Sequence, residues 1–319
     1  MDFRIDFGDW IESGLTWVED NLDWLFGFLK VLYQALYDGI DWVFTTPSAV
    51  VVIVVVALLA YLARGWKFGL GTALGLLFIV GVNQWDNAMD SLSLVIVSAL
   101  FAIIISVPLG IWAARNSTVS TIVKPIMDFL QTMPAFVYLI PAIALFRIGV
   151  PPGIFATILF ALAPGVRLTE LGIRGVDKEV VEAGQAFGAS PSRILRQIQL
   201  PLAMPSIMAG INQIIMLSLS MVVIAGLVGA GGLGGDVTKS LSALDTSLGV
   251  EAGMAVVILA IILDRFTGSF GNKRMKSLMG KWFARLPGGG AAPGDSTEGK
   301  TVDQIRTENR AVKQTGLAG

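Results

Sequence analysis

The side chains able to do chemistry in this 319-residue chain gather in two places. One is a polar stretch, residues 180–201, reading VVEAGQAFGASPSRILRQIQLP. The other is a scatter of polar groups inside long apolar runs: Asp128, Gln131 and Thr132, then Arg167 and Glu170, then Asn212 and Gln213. The chain has no histidine and no cysteine, which excludes His–metal sites, thiolate nucleophiles, Ser–His–Asp triads and imidazole proton relays. No nucleophile stands beside a base, so covalent catalysis has no candidate. Polar groups inside apolar spans are costly and occur where they pair, line a path or join helices. Arg167 and Glu170, three residues apart, have the spacing of a pair on one helix face. Gln131, Thr132, Asn212 and Gln213 fit a path lining or interhelical hydrogen bonds. Phe136 and Tyr138, flanked by Pro134 and Pro141, mark an aromatic, kinked segment that either joins the path or packs inside the bundle.

The stretch 180–201 has the local physics of a helix, a turn and a second helix. Val180, Val181, Ala183, Ala186 and Phe187 supply an apolar side for a short first helix. Gly188 is placed to end it, because glycine adopts the left-handed cap conformation without steric cost. Ser190 is a favoured N-cap and Pro191 falls at the first helical position. Ile194, Leu195 and Ile198 follow at helical spacing, and Pro201 closes the pattern. A mere tether needs no such order.

The elements that must position these groups are set by composition. Apolar residues make up 54% of the chain and charged residues 15%, against about 45–50% and 25% in soluble domains; mean hydropathy is +0.71. An all-α, polytopic membrane protein with about seven spans follows. The apolar runs are 48–63, 68–82, 91–114, 122–146, 152–172, 205–229 and 249–266, of which 68–82 is short for a span of about 20 residues. Basic residues recur in every second loop: Arg64 and Lys67; Arg115 and Lys124; Arg174, Lys178, Arg193 and Arg196; then Lys273, Arg274, Lys276, Lys281 and Arg285. The positive-inside rule then places the N-terminus outside and residues 176–203 and the C-terminus in the cytoplasm.

The flanks differ in character. Residues 1–47 hold nine acids and two bases, Arg4 and Lys30. Trp10, Trp17 and Trp24 recur every seven residues, extended by Phe3, Phe7 and Phe28, as on amphipathic helices that lie on a bilayer surface or pack on a membrane domain. The expected organisation is acidic interfacial helices over 1–47, two peripheral spans over 48–90, a core over 91–270, a basic interfacial helix over 271–286 and a disordered polar tail over 287–319. Residues Gly229–Gly235 lack the lysine and hydroxyl of a phosphate loop and read as a flexible outer turn.

The 180–201 stretch resembles a signature of bacterial ABC importer permeases: E-A-A, three residues, G, nine residues, I-x-L-P. Here Glu182-Ala183-Gly184, Gly188, Ile198, Leu200 and Pro201 hold every spacing, with Gly184 in place of a second alanine. A narrower resemblance over about 91–267, carried by MDFLQTMPAFVYLIPAIALF, APGVRLTELGIRGV and MAGINQIIMLSLSMVVIAGLVGAGGLG, is to glycine betaine/proline (osmoprotectant) importer permeases. That resemblance implies a type I ABC importer permease fold, a homodimer, two cytoplasmic ATPase subunits carrying ATP and Mg, a separate extracytoplasmic substrate-binding protein and an inner-membrane location. It implies no cofactor, metal, enzymatic activity or nucleic-acid partner for this chain. It also implies a coupling loop in which Glu182 makes a polar contact, Ala183 and Gly184 pack closely, Gly188 turns, and Ile198, Leu200 and Pro201 anchor. A quaternary ammonium could pass the rings of Phe136 and Tyr138 by cation–π contact. Methionine, sulfonate or oligopeptide permeases remain alternatives for the substrate. An ion-coupled secondary transporter is the rival class, disfavoured by nearly charge-free mid-spans.

Overall fold

The computed structural model describes residues 6–270, and among these every regular element is helical. The readings of 271–286 and 287–319, and Phe3, lie outside the described residues. Helix α1 spans Phe7–Thr45, α2 Ala49–Arg64, α3 Trp66–Gly81, α4 Trp85–Arg115, α5 Ser117–Thr132, α6 Leu139–Phe146 and α7 Val150–Arg174. The chain continues through α8 Lys178–Ala186, α9 Pro191–Ile194, α10 Leu200–Ala225, α11 Gly232–Ala243 and α12 Thr246–Phe270. The span expected from residue 91 therefore starts earlier, at Trp85, and the peripheral segment ends with α3.

Helices α4, α7 and α10 form the centre. Leu94, Val97, Ile154, Ile158, Ile214 and Val222 are buried together there. The α4–α7 crossing is close because Gly110 presents no side chain: a Cβ there would stand 2.6 Å from the Thr169 Cβ. Without a hydrophobic drive between helices in lipid, close approach of small residues is how membrane helices gain van der Waals contact.

Among the described residues, four helical stretches are long and apolar enough to cross a membrane: α4, α7, the run Pro191–Val228 and α12. Two further stretches reach that length only across bends, 97° between α1 and α2 and 110° between α5 and the segment Ala135–Phe146. The run expected as one span over 122–146 is thus broken. Met133 and Pro134 are extended (ψ 134° and 139°), because proline pushes its predecessor out of helical conformation and has no N–H to give. Pro108 and Pro164, by contrast, sit inside unbroken α4 and α7.

Helices α2 and α3 form an antiparallel hairpin. The Arg64 guanidinium at its turn lies against Gly268 near the end of α12. At the opposite face of the bundle Gln84 and Asn87 donate to Asp236 at 3.0 and 2.7 Å. The short run 68–82 accordingly lies on α3, which runs from one face of the bundle to the other as 16 residues over about 24 Å.

Helix α1 is one element with a non-helical residue, Leu22 (φ −119°, ψ 17°). Its second half packs on the core through Phe26, Tyr33 and Tyr37; Tyr33 meets Phe101 edge-on at 5.0 Å and Phe26 meets Phe146 at 5.6 Å. Trp10, Trp17 and Trp24 are all exposed, so the tryptophan stripe is not the packing face. Glu19 pairs with Arg147 of the α6–α7 loop at 2.9 Å.

The glycine segment 229–235 corrects the expectation of a flexible turn. Gly226 and Gly234 place backbone against backbone with no room for a Cβ. Leu233 N–H donates to Ser91 Oγ at 2.8 Å, and Gly149 N–H donates to Val228 O at 2.9 Å. Gly229, Gly232 and Gly234 serve close approach, while Gly231 and Gly235 have open space where a Cβ would stand.

Candidate coupling loop and helix-bundle face

The polar stretch after α7 folds as a projecting knob. Asp177 caps α8, its side chain accepting from Glu179 N–H at 2.9 Å. The far end of α8 closes in a Schellman turn: Gly188 N–H donates to Gln185 O at 2.8 Å and Ala189 N–H to Gly184 O at 3.1 Å, with Gly188 at φ +75°. That conformation is open to glycine and costly for residues with a Cβ. Ser190 is extended (φ −65°, ψ 153°) and Pro191 starts α9. A π-helical turn, Leu195–Gln199, then leads into α10.

The knob presents α8 outward and roots the second helix inward. No residue of α8 is buried; Glu182 and Ala183 are exposed. Gly184 faces the second helix, where a Cβ would stand 2.7 Å from Ile198 Cδ1. The absent methyl therefore lets α8 lie closer than alanine would without a shift of that side-chain end. Ile194 and Leu195 are buried, and Leu195 packs with Ile173, Ala203 and Ile207 while Leu200 closes over them. Pro201 is exposed and lies inside the first turn of α10 rather than at a helix end. Between the knob and the ends of α4 and α7 lies a groove of about 670 Å³, lined by Arg115, Arg174, Lys178, Glu182 and Gln185 among others.

Phe187 departs from the sequence expectation. It was assigned to the apolar side of the first helix, yet it is 92% exposed at the tip of the turn. Capping decides this: as the C-cap before a left-handed glycine, Phe187 is carried off the helix face that meets Ile194 and Ile198. An aromatic immediately before a capping glycine was the available signal.

Beneath the knob, α5 and α7 are joined by charge. Glu170 is buried and accepts from Ser120 Oγ at 2.7 Å; Arg174 Nε lies 3.0 Å away and Lys124 Nζ 3.5 Å. Arg174 also donates to Ala113 O of α4 at 2.8 Å. Arg167 pairs with Asp128 of α5, not with Glu170. The three-residue spacing permitted the local pair, but α5 brings a carboxylate opposite Arg167 and a serine and a lysine opposite Glu170.

The candidate path residues separate into two groups. Gln131, Thr132, Pro134, Phe136 and Gln213 are exposed. Tyr138 is 1% exposed: its hydroxyl donates to Leu130 O and its ring stands edge-on to Phe160 at 5.9 Å. It closes the break after α5 and packs inside the bundle. Asn212 donates to Asp264 Oδ1 at 3.2 Å and accepts from Thr267 Oγ1, so it joins α10 to α12. Among the described residues no group of acids could hold a metal ion.

Comparison with known proteins places this geometry in a family. Residues 106–275 match the family described as "Binding-protein-dependent transport system inner membrane component". The glycine betaine/proline betaine transport system permease protein ProW of Escherichia coli K12 is 42% identical over 285 residues, covering 89% of this chain and 80% of that protein. The glycine betaine/carnitine transport permease protein GbuB of Listeria monocytogenes serotype 1/2a is 45% identical over 280 residues, covering 86% and 98%. Among solved structures, an inward-facing MetNI methionine ABC transporter aligns with 58% of this chain and 93% of the matched chain, at TM-score 0.53 and 21% identity. That likeness is one of fold.

Proposed function

Because the chain belongs to the family of binding-protein-dependent transport system inner membrane components, we propose that it is the permease subunit of an ATP-driven importer for glycine betaine and related compatible solutes. The substrate class rests on relatives at 42% and 45% identity that are named for glycine betaine transport. The observation that carries the coupling mechanism is the knob over 176–203. It exposes an ordered helix, α8, while its second helix is continuous with α10 and rooted against α7. A force applied to α8 therefore reaches the core spans through packed residues rather than through a slack loop.

In this reading two copies of the chain pair, and each knob docks on one ATPase subunit. Glu182 and Phe187 supply polar and apolar contact, Ala183 and Gly184 allow close packing, and Gly188 sets the turn. Ile198 lies in the π-helical turn that joins the knob to α10, and Leu200 and Pro201 anchor it in the first turn of α10. ATP-driven closure of the ATPases draws the knobs together, and α10 and α7 move with them to open the outward face to a loaded binding protein. Hydrolysis resets the inward-facing state. ATP and Mg belong to the ATPase subunits; this chain binds the moving parts and performs no covalent step. Exposed Gln131, Thr132, Pro134, Phe136 and Gln213 lie on surfaces that a second copy completes into a path. Phe136 offers its ring face to a quaternary ammonium.

In this reading α1, bent 97° from α2, lies along the outer side of the bundle with its second half packed on α4 through Tyr33 and Phe101. Its exposed Trp10, Trp17 and Trp24 then sit at the depth where indole rings prefer the bilayer. In this arrangement the N-terminus lies outside and the knob in the cytoplasm.

The test is purification of the tagged chain from membranes with its ATPase subunit, followed by uptake of radiolabelled glycine betaine into proteoliposomes supplied with the binding protein. Co-purification and ATP-dependent uptake are expected. Absence of an ATPase partner overturns the importer reading; ATP-dependent uptake of another solute alone overturns the substrate.

A further inference from the structure

The hairpin α2–α3 does not close fully onto the core. Between it and helices α4 and α12 lies a crevice of about 180 Å³ with no polar lining surface, walled by Val56, Ala60, Met89, Leu92, Leu259 and Phe266 among others. Its mouth is lateral: Leu59 lines the crevice and is still 46% exposed. The neighbouring outward residues of α2, Val55, Leu58 and Leu62, are exposed and apolar, as on a lipid-facing surface.

Basic charge stands at one end, while acidic Asp41, Asp86 and Asp90 gather at the other, near Phe44 and Trp85. The hairpin turn carries Arg64 and Lys67, both exposed, beside exposed Trp66. Lys67 Nζ stands 6.0 Å from the Trp66 ring centroid and the Arg64 guanidinium lies against Gly268. Arg265 of α12 is exposed on the same end. From Val52, the deepest α2 residue of the crevice wall, to Arg64 is about 18 Å along the helix. One leaflet of hydrocarbon is about 15 Å deep, half of a core of about 30 Å. A cationic end and an apolar slot one leaflet long match one molecule class.

We infer that this crevice is a phospholipid site: one acyl chain enters between α2, α4 and α12, and the phosphate diester sits at Arg64 and Lys67. The lipid wedges the peripheral hairpin against the core and fills space that side chains leave open. Water is excluded as the occupant because the wall offers it no hydrogen-bonding partner. Free fatty acid is distinguished by its carboxylate and by its removal on dilution into lipid.

The experiment uses the full chain in detergent-free nanodiscs containing a phosphatidylglycerol with a diazirine midway along one acyl chain. After photolysis, crosslinked residues are mapped by mass spectrometry. Labels on Met89, Leu92 and Ala60 are expected beside labels on outward Leu58 and Leu77. In Arg64→Gln/Lys67→Gln the crevice labels fall about thirtyfold relative to the outward ones, the scale of two lost basic contacts at a lipid surface. Both residues are exposed, so folding is retained. Ala60→Phe, which fills the slot, removes the crevice labels with its outward labels intact. Labels confined to outward residues in the unmodified chain overturn the assignment. So do crevice labels unchanged in the double variant.

Discussion

Replacing Gly188 tests whether the knob transmits force by docking. The residue sits at φ +75° with nothing within 4 Å of where its Cβ would stand. Any side chain there bears the strain of the left-handed conformation, about 1–2 kcal/mol, but no clash. Alanine and tryptophan bear the same backbone strain; only tryptophan adds bulk to the exposed tip beside Phe187. Strain of about 1–2 kcal/mol lowers the population of the folded turn by about 5–30-fold, and docking on the ATPase opposes that loss in Gly188→Ala. Gly188→Ala therefore leaves substantial ATP-coupled uptake, whereas Gly188→Trp abolishes it. Membrane insertion and thermal unfolding of both variants stay near the parent, because α8 contributes no buried residue. The assay is glycine betaine accumulated per ATP hydrolysed in proteoliposomes containing the ATPase and binding protein. Equal losses in the two variants would assign the effect to backbone strain, and normal uptake in Gly188→Trp would refute docking at this tip.

Three further outcomes follow from the same geometry. Phe187→Ala removes a 92% exposed ring, so the unfolding temperature holds while affinity for the ATPase subunit, measured by titration in nanodiscs, falls. Glu170→Ala removes the acceptor of Ser120, Arg174 and Lys124. The two cations remain solvated, which keeps the loss to about 2–3 kcal/mol, the scale of charge-assisted hydrogen bonds. A lowered unfolding temperature in the purified protein checks it, and an unchanged one refutes the clamp. Tyr138→Phe strips the donor from Leu130 O, costing about 1–3 kcal/mol for a buried acceptor left unpaired. Its KM for glycine betaine stays unchanged, because the ring is buried against Phe160 and keeps its place without the hydroxyl.

What could be read along the chain was what the chain decides locally. The Gly188 turn, the Ser190–Pro191 start and the cap-to-cap spacing of 180–201 depend on residues within one or two turns, and the left-handed glycine is present where expected. Apolar run lengths located the long helices to within a few residues, apart from the earlier start of α4 at Trp85. The break at Met133–Pro134 was also written locally, since proline constrains its predecessor, but kinked and broken segments look alike in sequence.

Choices among distant partners were decided only by the tertiary structure. Arg167 had Glu170 within reach on its own helix, yet it pairs with Asp128, 39 residues away. Helix α5 packs against α7 there and supplies a better opposed carboxylate. Tyr138 and Phe136 are two residues apart with the same chemistry in sequence, and packing against Phe160 buries one while the other stays exposed. Gly229–Gly235 read as freedom, yet Gly229, Gly232 and Gly234 stand in contact, because whether a missing side chain gives looseness or closeness depends on what the fold brings opposite it. Composition determined by itself that this is a helical membrane protein without histidine or cysteine chemistry. Packing between helices far apart in sequence determined which polar groups are clamped, which stay exposed, and how the knob is rooted in the spans.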